Sequence, residues 1–274
     1  MRRLTFGGRN RFPIWSSDSA RVAFQSDREG DAAIFWQRAD GTGAAERLTK
    51  PEKGLSHVPE AWSPKGDSFL FGVNKGPSIS DPSALAVGTV ASDPFSLWTF
   101  SLSDKKATRF GQVQSFFPLN AVFSPDGRWV AYASGDEKGV IEIYVEPVPP
   151  TGAKYQVSKD LRSHHPRWTP DGKELYYVPG PGRIVAVSIT TQPSLAVGNA
   201  VPLSDPSGSS AETGMGGPAV VRNYDIAPDG RTVNVVVAAG QASGQTASPG
   251  APAAPQIQVV LNWFEELKAK APAK

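Results

Sequence analysis

Five times along this chain an anchoring hydrophobic residue is followed by the same short polar turn and then by an apolar strand. The copies read Trp15-Ser-Ser-Asp-Ser19, Trp62-Ser-Pro-Lys-Gly66, Phe123-Ser-Pro-Asp-Gly127, Trp168-Thr-Pro-Asp-Gly172 and Ile226-Ala-Pro-Asp-Gly230. The anchors lie 45 to 61 residues apart, which is the period of a β-propeller blade once loop insertions are allowed. One such unit cannot bury its apolar faces alone, so a repeated unit of this size must stack on its neighbours. The repeat therefore predicts an all-β chain, a β-propeller of about five four-stranded blades.

The turn has a mechanism at each position. Pro presets φ for the second turn residue, Asp bonds its own downstream backbone, and Gly accepts positive φ. The segments that follow, such as Arg21-Val-Ala-Phe24, Ser68-Phe-Leu-Phe71 and Trp129-Val-Ala-Tyr132, are rich in β-branched and aromatic residues, as strands facing neighbouring blades require. A third strand is expected at Ala33–Trp36, Ser96–Thr99, Ile141–Tyr144 and Arg183–Ala186. A more polar, outermost fourth is expected at Glu46–Thr49, Ala107–Phe110 and Lys154–Val157. Polarity on an exposed edge suits a strand that must not recruit another chain.

The last unit runs through 232–239 and 256–262 and lacks a fourth strand of its own. Met1-Arg-Arg-Leu-Thr5 resembles Glu46-Arg-Leu-Thr49, so the N-terminal strand is expected to close the last blade by pairing Arg2–Thr5 with Gln256–Leu261. The other reading makes Met1–Thr5 the remnant of a preceding blade. The expected organisation is a single propeller over 1–274, with blades near 12–50, 58–111, 117–158, 164–204 and 219–262 plus 1–5. A short helix and tail follow over 263–274. Three stretches rich in Gly, Ser, Ala and Pro (74–94, 204–218 and 241–255) read as surface loops.

Composition narrows the function classes. The 28 basic and 26 acidic residues nearly cancel, so neither a nucleic-acid footprint nor a polybasic membrane patch is expected. Cysteine is absent, which excludes disulfides, thiolate metal sites and cysteine nucleophiles. The two arginines after Met1 are not followed by an apolar run, and no stretch reaches the length of a membrane span, so neither a secretory signal nor a direct span is expected within the chain.

The pattern Pro-x-Trp-Ser-Pro-Asp-Gly, an apolar strand and then Ser-Asp-Arg-x-Gly is most complete at Pro13-Ile-Trp-Ser-Ser-Asp18 with Ser26-Asp-Arg-Glu-Gly30. It resembles the TolB-type, WD-like propeller repeat over nearly the whole chain. Ile34-Phe-Trp-Gln-Arg-Ala-Asp-Gly41, Phe123–Tyr132 and Val259-Val-Leu-Asn-Trp-Phe-Glu-Glu-Leu267 further resemble propellers at the C-terminus of bacterial serine/threonine protein kinases. That resemblance implies a sensory or interaction module. Ser19, Lys65 and Ile226 depart from the consensus at a turn Gly, a turn Asp and an aromatic anchor.

No kinase glycine loop or His-Arg-Asp segment, no phosphate loop and no Gly-x-Ser-x-Gly elbow occurs in the chain, so catalysis by it is not expected. No cofactor is expected either. Asp27-Arg28-Glu29-Gly30-Asp31 reads as a hairpin turn with a charge pair to the neighbouring blade. The candidate binding residues are His57, His164 and His165 with Asn10 and Arg11, all in loops that enter the innermost strands and hence near one rim of the central channel. They could line a polar funnel for a protein or peptide partner or a small ligand. Alternatively, the imidazoles hydrogen-bond backbone in tight loops. No fixed ligand spacing supports a metal.

Overall fold

In a computed structural model of the chain, the structure describes residues 2–75, 91, 93–180, 183–192, 194–203, 222, 224–230, 232–235 and 258–259. Four sheets of four antiparallel strands each follow the chain in order. They comprise β2–β5 (Asn10–Trp15, Arg21–Ser26, Ala33–Arg38, Glu46–Arg47), β6–β9 (Leu55–Trp62, Ser68–Lys75, Phe95–Ser101, Lys106–Ser115), β10–β13 (Val122–Phe123, Trp129–Gly135, Ile141–Pro147, Tyr155–Gln156) and β14–β17 (His164–Trp168, Glu174–Val178, Val185–Thr190, Ala196–Pro202). The fifth unit is described in two pieces, β18 (Tyr224–Ile226) paired with β19 (Val233–Val235), and β1 (Arg2–Arg3) paired with β20 (Gln258–Val259). Arg2 opposes Val259 and Arg3 opposes Gln258, so the chain ends meet in one antiparallel ladder. Each complete sheet is a meander of sequential neighbours, the blade of a β-propeller.

The third strand of the fourth blade lies at Val185–Thr190, later than the 183–186 stretch chosen for its apolar residues. Ile184 stays outside the ladder and packs beside Tyr176 and Val178 instead. The expected loops over 74–94, 204–218 and 241–255 fall mostly outside the described residues, and the expected helix and tail over 263–274 do so entirely.

The cores lie between blades. Ala23 and Ile34 of the first blade pack with Trp62, Phe69, Phe71 and Phe100 of the second. Leu70 and Leu97 of the second meet Leu119, Val130 and Tyr132 of the third. Ala131, Ile143 and Val145 of the third meet Trp168, Leu175 and Val187 of the fourth, and Tyr176 and Val178 meet Tyr224 and Ile226 of the fifth. Val22 and Phe24, on the opposite face of β3 from Ala23, bury Leu4 beside the closing strand. Both faces of the middle strands are thus covered, which is why they read as near-continuous apolar runs.

In the first, third and fourth blades the turn after the anchor is knotted in the same way. Asp18, Asp126 and Asp171 accept from the hydroxyl two residues earlier (Ser16, Ser124, Thr169) at 2.5–2.7 Å and from the amide two residues later at 2.9–3.1 Å. In the second blade Lys65 holds the usual Asp position, and Asp67 takes the Ser63 hydroxyl instead, at 2.8 Å.

Candidate functional site

The innermost strands do not run straight. In β2, β6 and β14 the register slips between Arg11 and Ile14, Pro59 and Ala61, and His164 and Arg167. Three residues before the anchor, Phe12, Asn120 and His165 take φ values of 53°, 49° and 56°, uncommon for side chains of this size. In the second blade that place is Pro59, whose ring forbids positive φ, and Glu60 becomes the extra residue. A bulge turns the side chain beside it and leaves a backbone N–H outside the ladder.

Such an amide in the third blade finds a partner in the second. Ala121 donates its N–H to Glu60 Oε2 at 3.0 Å. Glu60 Oε1 lies close above Gly72, only 3.2 Å from where a Cβ there would sit. Burial pushes the Glu60 carboxyl up to about 8, against the opposing pull of the Ala121 N–H and of Arg222, so it carries its proton at neutral pH. Glu60 is nevertheless an acid held between blades with part of its surface open.

Arg222 acts on Glu60 electrostatically, and on Arg167 and Asp225 as well. Arg222 Nε donates to the Tyr224 carbonyl at 3.1 Å, and burial weakens its hold on its proton, with Arg167 adding to that effect. Arg167 of β14 grips Asp225 of β18 through Nε at 2.7 Å and Nη2 at 3.5 Å. The Tyr224 hydroxyl donates to the His165 carbonyl. Glu60, Arg167, Arg222 and Asp225 thus belong to the second, fourth and fifth blades yet share one electrostatic environment. With Glu60 protonated, this group has one positive charge in excess.

The sequence-chosen residues are differently placed. Asn10 is buried; its Nδ2 donates to the Gly7 and Gly8 carbonyls, and its Oδ1 accepts from Arg28 Nη2 at 3.0 Å. Arg11 is half-buried and opposes Gln25 in the ladder. Gln25 Nε2 donates to the His57 carbonyl at 2.8 Å, and the His57 amide donates to Ala32 at 2.9 Å, so His57 is clamped by its backbone to the first blade. Its ring meets Phe71 at 4.9 Å, and burial pushes its pKa down to about 4. Its Nδ1 has no hydrogen-bond partner among the described residues.

His164 and His165 are brought together, both 2% exposed. Their Nδ1 atoms stand 2.9 Å apart with the rings nearly perpendicular, so only one of the two nitrogens carries a proton. Burial pushes His164 down to about 4. His57 sits in the seam between the first two blades, whereas the Ser163 amide bonds Ile141 of the third blade and the His165 carbonyl accepts from the fifth. Among the described residues no three His, Asp or Glu side chains gather as a metal site.

The expected charge pair from Asp27-Arg28 to a neighbouring blade is corrected. Arg28 stays within the first blade, bonding Ser26 and Asn10 and lying 5.0–5.2 Å over Phe35 and Phe24. Asp27 accepts from the Arg9 amide. Arg47 pairs with Glu29 and Asp31 of the same turn.

Sequence reasoning missed the charged group. Its signal was present: Glu60 and Arg167 interrupt Val58-Pro-Glu-Ala-Trp62 and His165-Pro-Arg-Trp168 one or two residues before an anchor, on strands that have little access to solvent.

No protein-family model matches the chain. It is 30% identical over 141 residues to the uncharacterized peptidase YuxL of Bacillus subtilis, an alignment covering 44% of this chain and 21% of that protein. The match thus spans about a fifth of the relative's length. Among solved structures, TolB from Acinetobacter baumannii superposes with a TM-score of 0.53 at 22% identity, over 72% of this chain and 44% of that one. A TolB-like protein from Agrobacterium tumefaciens superposes with a TM-score of 0.51 at 20% identity, over 82% of this chain and 73% of that one. The likeness to these two is one of fold. Among the described residues no helix is long and apolar enough to cross a membrane.

Proposed function

We propose that this chain is a non-catalytic propeller that captures a protein or peptide partner where its inner strands surround Glu60, Arg167, Arg222 and Asp225. The observation that carries this reading is the Arg167–Asp225 pair, joined at 2.7 Å across the fourth and fifth blades, with Arg222 near enough to act on both it and Glu60. Glu60 and Arg222 lie deep enough that their lost hydration is costly unless something offsets it, while the Arg167–Asp225 pair beside them stays open to a partner. They therefore mark a place arranged for recognition. The excess positive charge favours a partner that presents a carboxylate, with a protonated Glu60 beside it as a hydrogen-bond donor. A small acidic ligand fits the same chemistry.

Selection from a random peptide library tests the reading. Peptides enriched on the wild-type chain are expected to bind a Glu60→Ala, Arg167→Ala double variant at least about tenfold more weakly, a loss of about 1.4 kcal/mol. Equal binding by the two proteins would refute it.

The resemblance to kinase-borne propellers extends this reading to an interaction module of a bacterial kinase-like protein, and the TolB-like fold allows an envelope-complex component instead. The YuxL likeness favours a different arrangement, a propeller working beside a peptidase domain. The coding sequence on both sides of this chain separates these arrangements. An upstream kinase, an upstream secretory signal and a downstream α/β-hydrolase domain are the respective outcomes.

A further inference from the structure

An equivalent position follows each turn, the first residue of the next strand in four blades and the residue just before it in the fifth. There the backbone carbonyls of Arg21, Ser68, Trp129, Glu174 and Thr232 each accept the amide of the residue after the anchor, at 2.8–2.9 Å. Four blades place a polar residue at this position and the third places an indole. The turn does not need it, since the Ser124 hydroxyl accepts the Trp129 amide at 3.0 Å just as Ser16 and Thr169 accept those of Arg21 and Glu174. Trp129 is half-buried, its ring meeting Tyr155 edge-on at 5.9 Å.

Trp129 also lines an open cleft of about 700 Å³ between the third and fourth blades, within the size range of small-molecule sites. The charges in this cleft neutralise one another locally. Asp126 is occupied by the Ser124 hydroxyl at 2.6 Å and by the Arg128 amide and Nε at 3.0 and 2.8 Å. Asp171 accepts from Thr169 and the Lys173 amide, with Lys173 Nζ at 3.8 Å. An ionic ligand would thus find no unbalanced charge. Elsewhere on the rim Thr190, Thr191 and Gln192 offer neutral donors and acceptors, beside the apolar Pro125 and Ile189.

One indole beside neutral and internally paired polar groups suits a ligand that is uncharged, rich in hydroxyls and apolar along its C–H face. The negative face of an aromatic ring attracts such polarised C–H groups. We propose that the cleft between the third and fourth blades is a carbohydrate site that holds a neutral mono- or disaccharide against Trp129. It lies at the opposite end of the inner strands from the bulges and their buried histidines, so it stands or falls independently of the partner site.

Proton–nitrogen correlation spectra read the site directly through the Trp129 indole N–H, assigned by its loss in Trp129→Ser. Titrated with maltose, cellobiose and N,N′-diacetylchitobiose at millimolar concentrations, the wild-type chain is expected to shift this resonance with at least one of them. Trp129→Ser installs the residue that the second blade uses, and should weaken binding at least about tenfold by calorimetry. Gln192→Ala, a rim change that leaves the core alone, should weaken binding too, and it serves as the test if Trp129→Ser does not fold. An unmoved Trp129 indole with all three sugars overturns the proposal. So does undiminished affinity in Trp129→Ser, or in Gln192→Ala where that variant has to serve.

Discussion

Gly127 of the third blade rests on Pro64 of the second: a Cβ at Gly127 would stand 3.6 Å from Pro64 Cδ. Gly172 and Gly230 meet Pro125 and Pro170 in the same way, at 3.5 and 3.7 Å. The third, fourth and fifth blades thus each seat their turn on that of the blade before. In the first blade Ser17 and Ser19 hold the Pro and Gly positions, and Ser17 Oγ would lie 2.7 Å from a Cβ on Gly66. The repeated Pro and Gly are parts of one inter-blade contact.

The space at Gly127 would admit a methyl group, but its φ of 71° would not suit one. Gly127→Ala is expected to cost about 1–2 kcal/mol, the strain of placing an L-residue in the left-handed region. It should lower the urea midpoint without changing the slope. An unaltered midpoint would show that the turn relaxes freely.

Gly135 is needed for a different reason. Its backbone is not left-handed, but a Cβ would lie 2.3 Å from Phe117 Cδ2 and 3.0 Å from Ile141 Cγ1. Gly135→Ala should therefore destabilise by about 1–3 kcal/mol through overpacking. Gly135→Ala with Phe117→Leu should recover part of that loss in the same urea experiment.

Acid should loosen the fold through His57 and His164. Burial holds both near 4, below the ordinary 6.5, so the unfolded chain takes up protons first. Their contribution is fully present above about pH 6.5 and is lost as pH falls towards about 4, by on the order of 2–3 kcal/mol for each ring. His57→Phe keeps an aromatic ring beside Phe71 and cannot titrate. It is expected to lose less stability than wild type between pH 7 and pH 4.5, and equal losses would count against this assignment.

Glu60 has the opposite sign. Its folded-state pKa lies above the ordinary 4.5, at about 8, so the folded chain holds the proton more tightly. Its contribution is complete below about pH 4.5 and is lost as pH rises through about 8. Glu60→Gln retains an acceptor for the Ala121 N–H without a charge. Stability curves of variant and wild type should run parallel below about pH 4.5, diverge in favour of the variant as pH rises to about 8, and run parallel again beyond it. Curves that stay parallel throughout would show that Glu60 ionises freely.

The turns and anchors were legible because each answers to a local rule of φ preference, capping or alternation, repeated five times. The partners of Glu60 were not, because Ala121 lies 61 residues away and Arg222 belongs to another blade. His57, His164 and His165 were legible as residues just ahead of the anchors, but they lie within β6 and β14 and not in the expected loops. Their burial was not legible, because neighbouring blades supply it through Ala32, Ile141 and Tyr224.

The amino-acid sequence alone determined the all-β class and the blade period, since short-range turn chemistry and strand patterning suffice for these. Only the tertiary structure decided that the repeated Pro and Gly meet across blades, that a bulge in the second blade presents Glu60 to the third, and that Trp129 borders a cleft. Those relationships depend on the distance between residues far apart in the chain, which arises only when the blades pack.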